Sequence, residues 1–61
     1  MNTVKLKELM KARGVSVHDL AQGAVVSDVM IYKILNGTRD PSLSVAKVIA
    51  EYLGTTVDDL L

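Results

Sequence analysis

The stretch Val17–Leu35, VHDLAQGAVVSDVMIYKIL, followed by Asn36-Gly37, constrains this chain more than any other part of it. Its apolar and small positions are Leu20, Ala21, Ala24, Val26, Ile31 and Ile34. That spacing suits two short helices packed nearly at right angles across a tight turn. Ala21 falls where the two helices come closest, and a small side chain permits the approach. Ser27 is placed to cap the second helix, because its hydroxyl can accept an orphan N–H of the first turn.

The rest of the chain is punctuated in the same way. Val4–Arg13 reads as a first helix, with Leu6, Leu9 and Met10 inward and Lys5, Lys7 and Lys11 outward. Gly14 is a left-handed stop. Ser16-Val17-His18-Asp19 has the spacing of a capping box, so the second helix runs from Val17 to about Ala24. Gly23 inside it costs roughly 1 kcal/mol against alanine. The third helix, Asp28–Leu35, ends at Asn36-Gly37, both tolerant of positive φ. Thr38–Pro41 is a loop, since the residue before proline disfavours helix. Ser42 caps a fourth helix over Leu43–Leu53, with Leu43, Ala46, Val48, Ile49, Tyr52 and Leu53 as candidate core and Gly54 as its stop. Thr56-Val57-Asp58-Asp59 again has capping-box spacing, for a last short helix ending at Leu61. The expectation is an all-α fold of five short helices in one domain, residues 1–61.

Composition narrows the function classes. Sixty-one residues, 49% of them apolar, allow one small core without disorder. There is no cysteine, so neither disulfides nor thiolate metal sites can staple it. Such a chain relies on helix packing, aided in some small folds by dimerisation. No apolar run approaches the ~20 residues of a membrane span. The start, MNTVKLKELMKARG, is amphipathic rather than a signal peptide, which makes the cytoplasm the default expectation. The formal net charge is zero, whereas a nucleic-acid binder usually has a basic excess. The charge is unevenly spread: Lys5, Lys7, Lys11 and Arg13 oppose Glu8 near the start, and Glu51, Asp58 and Asp59 stand without a base at the other end.

Taken in order, these landmarks resemble the helix-turn-helix domains of the phage repressor and Cro type. The matching pieces are Gly14-Val15-Ser16, Leu20-Ala21, Ser27, Asn36-Gly37, Pro41-Ser42-Leu43 and Leu53-Gly54, and they cover nearly the whole chain. The resemblance implies a transcriptional regulator of the repressor type that binds double-stranded operator DNA as a dimer, with the third helix in the major groove of each half-site. The family's base-reading positions fall on Ser27, Asp28, Val29, Tyr32 and Lys33. Periodicity gives nearly the same set: with Ile31 and Ile34 inward, Asp28, Val29, Tyr32 and Lys33 lie away from the core. Lys33 can donate to guanine or to a phosphate, Val29 can pack on a thymine methyl, and Tyr32 can reach a phosphate or a base edge. Asp28 has two readings: an acceptor for cytosine N4, or an acid that complements the helix N-terminus. Asn36, Thr38 and Arg39 match the family's phosphate-contacting stretch. Asn36-Gly37 also serves as a plain helix stop, and Asp40 stands beside Arg39 to weaken its field.

Three departures from the family pattern favour scaffold over grip. Val25 occupies the position of the usual turn glycine, so either it bears strain or the turn has another shape. Val17 replaces a phosphate-touching polar residue. Met10 and Leu35 stand where some repressors place a buried arginine–glutamate pair, an exchange that is often neutral or stabilising.

His18 has no partners at metal-ligand spacing and reads as a surface residue. Asp58-Asp59 is explained by helix capping and dipole complement. No nucleophile–base set and no phosphate loop is present, so no enzyme activity, cofactor, metal or small-molecule ligand is expected. Tyr52, Val57, Leu60 and Leu61 form a C-terminal apolar group that is either core or, for Val57, Leu60 and Leu61, the patch of a weak homodimer. The rival reading is a protein-interaction or redesigned scaffold module on the same fold with little DNA binding. In that reading Val29, Met30 and Tyr32 form an exposed apolar patch.

Overall fold

Every α-helix of the chain starts on a polar side chain that takes up one of its unpaired N–H groups. In the computed structural model, which describes Met1–Leu61, α1 spans Thr3–Arg13, with Asn2 Oδ1 accepting from the Lys5 N–H at 3.0 Å. Helix α2, Val17–Ala24, opens on a complete capping box: Ser16 Oγ accepts from the Asp19 N–H at 3.1 Å, and the Asp19 carboxylate accepts from the Ser16 N–H at 3.3 Å. Ser27 Oγ accepts from the Met30 N–H at 3.1 Å to start α3, Asp28–Leu35. Ser42 Oγ accepts from the Val45 N–H at 3.3 Å to start α4, Leu43–Tyr52. The helix boundaries expected from the caps and stops therefore hold to within one residue.

The centre of the molecule is α2, which packs against both α3 and α4, while α1 lies against α3 and the C-terminal turn. Leu6, Leu20, Ile31, Ile34, Ile49, Leu53 and Leu60 are fully buried, and no polar or charged residue is buried with them. Ala21 is buried at the heart of α2, as its small size requires. Met10 and Leu35 join the same apolar cluster, so hydrophobic packing fills both positions. No helix is long and apolar enough to cross a membrane.

Three expectations need correction. The fifth helix is a single 3₁₀ turn, Asp58–Leu60, so the fold has four α-helices and not five. Thr56 Oγ1 does accept from the Asp59 N–H at 3.3 Å, but the Asp59 carboxylate takes the Thr55 hydroxyl at 2.7 Å instead of closing a capping box. The Leu60 carbonyl is drawn off by the Asn2 N–H at 2.6 Å, which ties the turn to the start of α1. Leu43 is not core: it is the first residue of α4, 67% exposed, beyond the end of the buried stripe. Tyr52 is half-exposed rather than buried, its ring laid over Gly23 so closely that a Cβ at Gly23 would meet ring carbons at 2.4 Å and 2.6 Å. The glycine inside α2 is thus a packing requirement between α2 and α4. At the end of α3, of the two residues tolerant of positive φ, Gly37 adopts it and Asn36 stays right-handed (φ −80°).

The turn between α2 and α3 keeps its left-handed shape despite the missing glycine. Val25 has φ 57° and ψ 46°, the sole non-glycine residue with positive φ. Its N–H donates to the Gln22 carbonyl at 3.2 Å and the Val26 N–H to the Ala21 carbonyl at 3.0 Å, which closes the helix end in a Schellman pattern.

Candidate nucleic-acid interface

Because Ile31, Ile34 and Leu35 turn inward, α3 presents its other side to solvent. Ser27, Asp28, Val29, Tyr32 and Lys33 are all exposed, and so are Asn36, Thr38 and Arg39 just beyond the helix. The eight candidates from the sequence therefore share an accessible, nearly continuous stretch. Met30 does not join them, because it is partly buried against the core. The apolar patch proposed for a protein partner shrinks to Val29 and Tyr32, with Val25 exposed at the turn.

Several of these side chains have work within the fold. Ser27 uses its oxygen to cap α3 and keeps its O–H free to donate. The Thr38 hydroxyl and backbone N–H both donate to the Lys33 carbonyl, each at 3.1 Å, so Thr38 serves mainly to close the end of α3. Asn36, Lys33 and Arg39 make no side-chain hydrogen bond or ion pair inside the molecule. Val17, at the position of a phosphate-touching residue, packs partly buried against the core.

The acids matter as much as the bases. By sequence, Asp28 and Asp40 cancel Lys33 and Arg39. In space, each is paired elsewhere. Asp40 Oδ1 accepts from the N-terminal ammonium of Met1 at 3.2 Å. The Asp28 carboxylate faces the His18 ring, with Nδ1 3.2 Å from both of its oxygens. Lys33 and Arg39 are in no ion pair with either acid.

Sequence reasoning missed the His18–Asp28 contact. The two residues lie ten apart, on different helices, and only the crossing of α2 and α3 brings them together. The Met1–Asp40 pair, thirty-nine residues apart, was equally out of reach of any local pattern.

Of the dimer candidates, Leu60 is fully buried and so contributes to the core rather than to a contact surface. Leu61 is 78% exposed, and Val57 is partly buried. Together with Leu43, Pro41 and Met1 they line a shallow groove of about 300 Å³.

A family model described as helix-turn-helix matches residues 6–60, nearly the whole chain. No curated protein matches the sequence. The match spans all four α-helices apart from the first turn of α1, and it includes the capped α2–turn–α3 unit from which the resemblance was read. The chain belongs to the Cro/C1-type helix-turn-helix family of DNA-binding regulators.

Proposed function

We propose that this domain is a repressor-type transcriptional regulator that binds operator DNA by placing α3 in the major groove. Lys33 and Tyr32 reach base edges or flanking phosphates, and Val29 packs against a thymine methyl. Ser27 and Asp28 sit at the leading end of the helix, while Asn36 and Arg39, with the backbone at Thr38, meet the phosphates that follow. The observation that carries this reading is that Lys33 and Arg39 are exposed on this side of the molecule and neither is in an ion pair, while Asp40 meets the Met1 ammonium and Asp28 meets the His18 ring. With so few cations, affinity per copy is modest and strongly dependent on the partner copy.

Two-fold recognition sets half-site centres roughly 34–36 Å apart, one helical turn. The copies pair weakly through the C-terminal edge. Leu61 and Val57, with Leu43 beside them, supply its apolar surface, and Leu60 supports it from within the core.

A titration across a salt series on duplex DNA tests the reading. Each phosphate that a cation neutralises adds about 0.9 to the steepness of log affinity against log salt. Changing both Lys33 and Arg39 to alanine therefore flattens the dependence by up to about 1.8 and weakens binding. An unchanged slope and affinity would refute the assignment. A parent domain that shows no salt-dependent duplex binding would favour the protein-interaction module instead, for which Val25, Val29 and Tyr32 supply exposed apolar surface.

A further inference from the structure

The contact between His18 and Asp28 joins the starts of two helices. His18 is the second residue of α2, and Asp28 is the first residue of α3. The His18 Nδ1 lies equally close, at 3.2 Å, to both carboxylate oxygens of Asp28. Both side chains remain substantially exposed, so this is not an element of the core. The other acid near the start of α2, Asp19, is committed to the Ser16 N–H and does not compete for the ring.

Asp28 occupies a demanding place for a carboxylate. At the N-terminus of α3 it gains from the helix dipole. In a groove walled by phosphates, a free carboxylate is repelled, and as a bare acceptor it selects cytosine N4 among the base edges. A ring N–H shared between its two oxygens changes both properties. It turns the carboxylate toward α2, and it takes up one acceptor site on each oxygen.

We propose that His18 is a positioning residue for DNA recognition: it holds the Asp28 carboxylate against α2, so that Asp28 does not read a base and selection passes to Val29, Tyr32 and Lys33. This rests on the reading of α3 as the groove-inserted helix. The functional content differs from that of a surface pair that only steadies the α2–α3 turn. A steadying pair changes melting temperature alone, whereas a positioning pair changes which duplexes are chosen.

The test is selection of duplexes from a randomised pool, followed by titration of the selected and scrambled duplexes at fixed salt. It uses the parent domain, His18→Ala, His18→Gln, Asp28→Asn and the double variant His18→Ala/Asp28→Asn. Circular dichroism of each variant checks that it is folded. In His18→Ala the freed carboxylate weakens duplex binding by roughly two- to five-fold, the scale of an exposed charge contact. It also introduces a preference for cytosine at one position per half-site. Asp28→Asn binds more tightly than the parent while keeping its base preferences, and the double variant behaves like Asp28→Asn. Glutamine at 18, which retains an N–H donor, restores part of the parent behaviour.

The proposal is overturned if His18→Ala selects the same duplexes with the same affinity as the parent. It is also overturned if the parent already shows a cytosine preference that Asp28→Asn removes. Duplex binding by the parent that persists after changing both Lys33 and Arg39, with no effect of any α3 variant, would instead remove the groove reading and this inference with it.

Discussion

Replacing Val25 by glycine is expected to stabilise the fold. Val25 sits at φ 57° and ψ 46°, where the Cβ of an L residue crowds the following carbonyl. That conformation costs roughly 1–2 kcal/mol for an ordinary residue, and a β-branched side chain lies at the upper end. The side chain is 89% exposed, so its removal gives up almost no buried area. The hydrogen bonds of the turn are all made by backbone atoms and survive the change. Against the relief stands the greater freedom of glycine in the unfolded chain, about 0.4–1 kcal/mol. The balance is a gain of roughly 0.5–1 kcal/mol, which for a domain of this size raises the melting temperature by about 2–8 °C. Thermal and urea unfolding followed by circular dichroism measure it. Asparagine, which tolerates this region, should give part of the gain, and alanine less. A lower melting temperature for Val25→Gly would show that the valine methyls contribute more than their exposure suggests, and that the strain argument fails.

Gly23→Ala carries opposed effects. The helix gains up to about 1 kcal/mol, but the new methyl displaces the Tyr52 ring at an expected cost of about 1–3 kcal/mol, so the variant is less stable than the parent. In a Tyr52→Ala background the same change should become stabilising, and urea melts of the four proteins close the cycle. Leu60→Ala should cost about 2–5 kcal/mol because it empties a core position, whereas Leu61→Glu should leave the melting temperature nearly unchanged and abolish any self-association seen by sedimentation equilibrium.

The limits of the helices were legible because the chain writes them in caps and stops: Ser16, Ser27 and Ser42 on one side, Gly14, Gly37 and Gly54 on the other, while the Asn2 cap of α1 was not read. The inward positions of α2 and α3 followed from periodicity for the same reason. Helix α4 was read less well at its ends, since Leu43 and Tyr52 satisfy the period yet remain substantially exposed. The last element was misread because a capping-box spacing specifies a start and says nothing of length. The exposed face of α3 was legible residue by residue. Its electrostatics were not, because Asp28 and Asp40 are partnered by groups ten and thirty-nine residues away. The sequence places the four charges close together, and only tertiary structure shows that the two acids contact Met1 and His18 rather than Lys33 and Arg39. Val25 could be flagged as anomalous, but only the backbone angles decide between strain and a different turn.

The hydrogen bond from the Asn2 N–H to the Leu60 carbonyl has a mechanical consequence. The two ends of the chain leave the fold side by side, held by one backbone bond and by the Met1–Asp40 pair. A load applied between them therefore meets those bonds one at a time, as in opening a zip, rather than shearing many at once. The 3₁₀ turn and α1 would peel away first, drawing Leu60 and Leu6 out of the core while α2 still holds α3 and α4. Resistance to pulling in this direction is thus set by a few contacts at the seam.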